Sequence, residues 1–142
     1  MRIRLYHAKI LAMENGFDWF EGEVWILNDR IEQVIKGTLA DVTVSFDEQI
    51  DCMGNLLMPG FKICHAHGPM TFLRSFADDL PLHQWLNTMI FPAEAKLLED
   101  DIYTLMQLAI LEYIKSGITT SFEMYFYPHM IAKACKDMGF RV

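Results

Sequence analysis

The sequence predicts an α/β protein, and two patterns along its 142 residues support this prediction. Up to residue 57, short runs of β-branched and aromatic residues are separated by turn-forming residues, which is typical of a small β-sandwich lobe. From residue 58 to residue 142, strand-like and helix-like segments follow one another, which indicates a parallel sheet with crossover helices. We therefore predict two domains, with the boundary between residues 57 and 58.

The N-terminal lobe is predicted from its alternating segments and from the turns between them. Turn-forming residues occur at Asn15-Gly16, at residues 28–30 and at residues 51–55. The predicted strands are residues 3–6, 23–27, 31–35 and 42–46.

The second part begins with an apolar run at residues 56–64, which predicts a strand. A helix is expected at residues 81–89, and a longer one is predicted by the helical spacing of apolar residues from Ile102 to Tyr113, with its end near Gly117. The remaining predicted elements are a strand at residues 118–122, a helix at residues 130–138 ended by Gly139, and the opening of another strand at residues 140–142.

His65 and His67 are the first candidate site residues, because they stand one residue apart at the end of the predicted strand. Side chains alternate between the two faces of a strand, so both imidazoles point to the same side while Ala66 points away. Two imidazoles on one side can bind a single metal ion. Histidines also occur in strands as hydrogen-bonded packing residues, so the spacing alone leaves both interpretations open.

Several longer motifs accompany the histidine pair in a regular order. They lie at residues 58–61, 68–82, 85–86, 91–97, 116–120 and 124–126. With these motifs the chain resembles the amidohydrolase superfamily, and within it the branch of 5′-methylthioadenosine/S-adenosylhomocysteine deaminases and chlorohydrolases. The resemblance extends over essentially the whole chain.

The resemblance implies a fold and an extent. It implies that residues 58–142 are the first βα units of a (β/α)8 barrel, and that residues 1–57 are the N-terminal part of a composite β-sandwich lobe completed by strands from the far end of a longer chain. A complete barrel of this kind needs about 250 residues. We therefore expect this sequence to be an N-terminal fragment with an open sheet edge.

The resemblance also implies a chemistry. His65 and His67 would bind a divalent metal, with zinc as the expected ion, and a metal-activated water would deaminate an adenosine-like nucleoside such as methylthioadenosine or adenosylhomocysteine. No catalytic acid or base is assigned within this chain, since the family carries those carboxylates on later strands.

Two further residues are candidates for substrate contact through the resemblance. Glu94 matches the family residue whose carboxylate contacts the substrate ribose; the alternative is a solvated charge or a surface pair with Lys96. Trp85 is a candidate for packing against the apolar thioether side of the ligand, while a core position is the alternative.

The chain departs from the family pattern at positions near this site. Ile63 stands where the family has an asparagine, which removes a polar group that could orient a metal ligand. Glu123 stands where an aspartate is common. These departures keep a second function open, a truncated non-catalytic remnant with a weak or empty histidine site. In either case we expect the isolated 142-residue chain to be inactive.

Composition and charge narrow the partners. The formal net charge is −7 and the lysines and arginines are scattered, which argues against a nucleic-acid surface. No apolar stretch approaches the roughly 20 residues of a membrane span, and no signal peptide is evident, so we expect a cytoplasmic protein without a membrane partner. Three cysteines at unpatterned spacings disfavour a disulfide framework. The expected partner is a small-molecule nucleoside substrate, and self-association into a homo-oligomer is left open.

Overall fold

The computed structural model describes residues 1–14, 16 and 18–142. The predicted Asn15-Gly16 turn includes Asn15 and therefore lies outside the described residues. The chain divides into two compact units, Met1–Pro59 and Gly60–Val142. No helix among the described residues has the length and apolarity that crossing a membrane requires.

The N-terminal unit is built on one five-stranded sheet with β1 at its centre. Strand β1 pairs antiparallel with β2 on one side and parallel with β4 and β5 on the other, and β3 continues the sheet beyond β2. Ala8, Ile10 and Val24 form its buried core. The strands are β1 (Arg2–Ile10), β2 (Phe20–Leu27), β3 (Arg30–Lys36), β4 (Glu48–Asp51) and β5 (Leu56–Leu57). The described residues supply one layer, so the second layer of a β-sandwich stays a prediction.

The strand predicted at residues 42–46 is wrong. These residues do alternate between half-buried and exposed positions, and Phe46 packs edge-on against Trp25 with ring centroids 5.0 Å apart. A strand also needs a neighbour to bond with, and the free edge of β1 is occupied by β4 from Glu48 onward. The alternation therefore reflects side-chain packing without a hydrogen-bonded ladder.

The C-terminal unit contains two parallel strands with helical segments between and after them. Strand β6 (Phe61–Ala66) pairs with β7 (Ile118–Glu123), and an isolated parallel bridge joins Thr120 to Arg141 where a further strand was predicted to open. The helical segments are a 3-10 helix (Gly68–Leu73), α1 (Leu82–Gln84), a π-helical turn (Trp85–Ile90), α2 (Phe91–Glu94), α3 (Glu99–Lys115) and α4 (Pro128–Met138). The arrangement is mixed α/β, as predicted, and its identity as the start of a (β/α)8 barrel stays a prediction.

Helices α3 and α4 form the core of this unit. The apolar spacing predicted for α3 places Ile102, Met106 and Ile110 on one buried face, which packs with residues of α4 such as Cys135. The predicted helix ends are confirmed, because Gly117 and Gly139 follow α3 and α4 with left-handed φ angles of 79° and 68°.

The helix predicted at residues 81–89 is longer and less regular than expected. It starts after Pro81 and runs on to Glu94, with a π-helical turn in which the Phe91 amide donates to the Leu86 carbonyl. Pro92 has no amide hydrogen and cannot continue the regular bonding pattern. This irregular segment ends at Glu94, and π-helical turns of this kind are frequent at functional sites.

Candidate active site

The imidazoles of His65 and His67 meet at the end of β6. His65 lies in the strand and His67 follows its last residue, and their Nε2 atoms are 3.0 Å apart. The two rings are perpendicular, with centroids 4.8 Å apart. The strand alternation thus brings the two Nε2 atoms close together on one side of the strand.

A backbone carbonyl fixes the orientation of His67. Its Nδ1 lies 2.6 Å from the carbonyl oxygen of Met124. Because a carbonyl only accepts hydrogen bonds, Nδ1 must carry the proton, and the lone pair of His67 is therefore on Nε2. This contact sets the tautomer that a metal ligand needs, in the way that metal-bound histidines are usually oriented.

The pair fits a metal ion in its chemistry and its spacing. Zinc–imidazole bonds are about 2.0–2.1 Å long, so two nitrogens near 3 Å apart can reach one ion. Among the described residues, no group of three or more histidine, cysteine, aspartate or glutamate side chains could hold a metal. The pair alone therefore falls short of the three protein ligands that a catalytic zinc usually has.

Glu94 and His67 line the same pocket, which has a volume of about 410 Å³. Glu94 is 8 % exposed, and the Tyr125 hydroxyl donates a hydrogen bond of 2.7 Å to its Oε1. The other lining residues are mainly apolar: Met70, Leu86, Ile90, Phe91, Met124 and Phe126. The burial of Glu94 contradicts the alternative of a solvated surface charge.

The hydroxyl of Tyr125 acts as a hydrogen-bond donor in this pocket. Burial, and then the neighbouring Glu94 carboxylate, raise the pKa of Tyr125 far above its ordinary value. The hydroxyl therefore stays protonated and donates to the carboxylate at any physiological pH.

Trp85 lies in a different pocket from Glu94. This second pocket, of about 330 Å³, is also lined by His65, His67 and Ile63. The indole N–H of Trp85 donates to the Phe76 carbonyl at 3.0 Å. The structure thus brings Trp85 near the histidine pair, whereas it does not place Trp85 beside Glu94.

Glu123 holds the turn that follows His67. Its Oε2 accepts the Gly68 amide at 2.7 Å, and its Oε1 accepts the Tyr113 hydroxyl at 3.3 Å. Gly68 permits this approach, because a Cβ there would lie 2.8 Å from the Met106 sulfur and 3.2 Å from the Glu123 oxygen. A glutamate at position 123 is therefore built into the fold.

The sequence analysis missed Tyr125 as a site residue, and it treated Glu123 only as a departure from the family pattern. A usable signal was present for both. They stand at or just after the end of β7, the parallel neighbour of the strand that carries the histidines. Residues at the carboxyl ends of neighbouring parallel strands meet at one edge of the sheet.

Comparison with known proteins identifies the family that this chain matches. The family model described as "Amidohydrolase family" matches residues 56–142. A 5-methylthioadenosine/S-adenosylhomocysteine deaminase of Desulfitobacterium hafniense is 44% identical over 139 residues, which are 96% of this chain and 32% of that protein. The crystal structure of an adenosine deaminase from Xanthomonas campestris with bound zinc superposes with a TM-score of 0.85 at 33% identity, over 99% of this chain and 32% of that one.

A more distant structure extends the likeness of the fold. A triazine hydrolase from Arthrobacter aurescens superposes with a TM-score of 0.79 at 21% identity, over 99% of this chain and 34% of that one.

The chain belongs to the amidohydrolase family, a family of hydrolytic enzymes. The relatives that it matches include several proteins named as 5-methylthioadenosine/S-adenosylhomocysteine deaminases. The chain spans about a third of the length of these relatives.

Proposed function

We propose that this chain carries part of the active site of a metal-dependent deaminase that acts on adenosine-like nucleosides, with 5′-methylthioadenosine and S-adenosylhomocysteine as the leading substrates. One observation carries the proposal. His67, one of two adjacent histidines suited to a metal, lines the same pocket as Glu94, a buried carboxylate suited to a ribose. The names of the relatives support the same reaction class.

In this proposal β6 and β7 are the first two strands of a (β/α)8 barrel, whose active site lies at the carboxyl ends of its strands. The N-terminal sheet is one layer of a composite sandwich lobe, with the domain boundary near residue 58. The parallel pairing of β6 with β7 and the position of His65 and His67 at the end of β6 support this arrangement.

His65 and His67 are the proposed metal ligands, each through Nε2. These residues would hold a divalent cation such as zinc, which would supply a water molecule activated to hydroxide near neutral pH. The carbonyl of Met124 keeps His67 in the tautomer with a free Nε2 lone pair. We place the remaining ligands and the proton-transferring carboxylate in the part of the family fold that this sequence does not cover.

Glu94 is the proposed ribose-binding residue. Its Oε1 is held by Tyr125, and no hydrogen bond from the described part of the chain reaches its Oε2. A carboxylate in this state can accept hydrogen bonds from two vicinal hydroxyls. The apolar lining of the pocket suits the purine and thioether parts of the same substrate.

The test is an ammonia-release assay with 5′-methylthioadenosine on the protein as its source cell makes it, after its intact mass has been measured. We expect turnover that stops when a chelator removes the metal and returns when zinc is added. His67→Ala should lose both the metal and activity, by at least about a thousandfold for a lost metal-activated water.

His83→Ala is the matched control, because His83 is exposed and, among the described residues, its side chain is hydrogen-bonded only to Asn87 of its own helical segment. This variant should keep both metal and activity. A protein that neither retains zinc nor releases ammonia would overturn the proposal and favour the non-catalytic remnant.

A further inference from the structure

Tyr125 is the polar side chain of the pocket to which the proposed reaction gives no role. Its hydroxyl donates 2.7 Å to Oε1 of Glu94, and in the described part of the chain this is the one hydrogen bond made to that carboxylate. The Tyr125 ring also lies beside His67, with 6.5 Å between the ring centroids. Tyr125 therefore bonds Glu94 and lies beside His67, the two proposed site residues that line this pocket.

The segment that carries Tyr125 is fixed to the strand of the histidine pair. The Met124 amide donates 2.9 Å to the Ala66 carbonyl, and the Met124 carbonyl accepts the His67 Nδ1 proton. The next residue, Tyr125, then reaches Glu94. One dipeptide after β7 thus connects the orientation of His67 to the orientation of the Glu94 carboxylate.

We propose that Tyr125 is a positioning residue that holds the Glu94 carboxylate with Oε2 turned to the pocket, at a set distance from the histidine pair. This inference rests on the proposed function. The tyrosine hydroxyl uses one lone pair of Oε1, so Oε2 and the second lone pair of Oε1 stay available to two vicinal hydroxyls. A ribose held there would lie in the pocket that His67 also lines.

The experiment compares 5′-methylthioadenosine with its 2′,3′-dideoxy analogue in the whole zinc-loaded protein. In Tyr125→Phe the carboxylate loses its fixed orientation while the aromatic ring stays. We expect KM for the ribonucleoside to rise by about 10-fold, the effect of losing one hydrogen bond to a charged group, with kcat nearly unchanged. KM for the dideoxy analogue and the zinc content should stay as in the wild type.

Tyr103→Phe is the matched control. It also removes a tyrosine–carboxylate hydrogen bond, the 2.9 Å contact with Asp137, and it lies outside the pocket that contains Glu94. This variant should change neither KM. As a second measurement, Tyr125→Phe added to Glu94→Ala should cause no additional rise in KM, because the group to be positioned is already gone.

Three outcomes would overturn the inference. Equal changes for the ribonucleoside and the dideoxy analogue would indicate a general structural role, and unchanged KM values for both would indicate no role. A wild-type protein that releases no ammonia from either nucleoside would instead remove the proposed function, and the inference with it.

Discussion

The two units of this chain each bury a glutamate, and they do so in opposite ways. In the N-terminal unit, Glu23 is 0% exposed, and its Oε2 accepts two hydrogen bonds from the Arg4 guanidinium at 2.6 and 2.9 Å. Its Oε1 accepts the Trp25 indole N–H at 3.0 Å. In the C-terminal unit, Glu94 is 8% exposed and accepts one hydrogen bond, from Tyr125.

This difference separates a structural carboxylate from one that is open to a ligand. Burying a charge is costly, and the cost is offset when a counter-charge and hydrogen bonds occupy both oxygens, as they do at Glu23. Glu94 has neither a cationic partner among the described residues nor a partner on Oε2. Its Oε2 is therefore open to a ligand, as the proposed ribose-binding role requires.

The comparison with Glu123 shows that the role of a carboxylate depends on its hydrogen-bond partners and does not depend on which unit contains it. It lies in the same unit as Glu94, but both of its oxygens accept hydrogen bonds from the fold, one from Gly68 and one from Tyr113. Glu123 therefore holds the turn after His67, while the single protein hydrogen bond to the Glu94 carboxylate among the described residues supports its proposed role in ribose binding.

The largest effect should come from Glu23→Gln. Removing one charge leaves the Arg4 guanidinium buried without its counter-ion, which typically costs about 3–5 kcal/mol in the free energy of unfolding. The measurement is urea unfolding of the whole protein. Glu32→Gln is the control, because the Arg2–Glu32 pair of 2.8 Å in the same sheet is partly exposed and should contribute far less. Equal losses in the two variants would remove the contrast between buried and exposed pairs.

Glu94→Gln should show the reverse pattern. The amide oxygen can still accept the Tyr125 hydroxyl, so the free energy of unfolding should change by less than about 1 kcal/mol. The weaker acceptor should raise KM for 5′-methylthioadenosine by about 10- to 100-fold, the range for a hydrogen bond to a charged group. The measurement is KM from steady-state kinetics. Glu99→Gln is the control, because Glu99 is an exposed glutamate paired with His129 and its substitution should leave KM unchanged. If Glu94→Gln lowered the free energy of unfolding and left KM unchanged, Glu94 would be a structural carboxylate like Glu23.

The smallest effect concerns Cys135, a buried group that stays neutral instead of finding a charged partner. Burial, and then the charge of Glu123, raise the pKa of Cys135 from 9.0 to about 11. The unfolded thiol ionises near pH 9 while the folded one is still protonated, so this stabilisation is complete below pH 9 and is lost as the pH rises through 11. At pH 10 the loss is about 1.4 kcal/mol.

Unfolding in urea at pH 8 and pH 10 measures this loss. Cys135→Ala removes the titrating group, so its stability should fall less between the two pH values than that of the wild type. Cys64→Ala, at an exposed cysteine, should keep the wild-type dependence. If Cys135→Ala and the wild type lose the same amount, the thiol does not contribute.

Much of the fold follows from local patterns in the sequence. The helical spacing of apolar residues and the two left-handed glycines determine α3 and α4, and strand alternation brings His65 and His67 together. The strand prediction for residues 42–46 is wrong because the alternation there reflects side-chain packing. Whether a segment forms a strand also depends on which edge of β1 is free to pair with it. No local pattern contains that information.

The site is harder to predict because its contacts join residues that are far apart in the sequence. Glu94 and Tyr125 are 31 residues apart, and Gly68 and Glu123 are 55 apart. The family motif indicates Glu94, but only the pairing of β6 with β7 shows that the residue after Met124 reaches it. The role of Trp85 stays a prediction, since its pocket contains the histidines and not Glu94.

The most direct test is a crystal structure of the whole protein with zinc and 5′-methylthioadenosine. We expect zinc about 2.1 Å from Nε2 of both His65 and His67, and ribose hydroxyls within hydrogen-bonding distance of Glu94 Oε2. The Tyr125 hydroxyl should still be bonded to Oε1. A ribose bound elsewhere, with Glu94 contacting protein groups alone, would contradict the proposed role of Glu94 in binding the substrate.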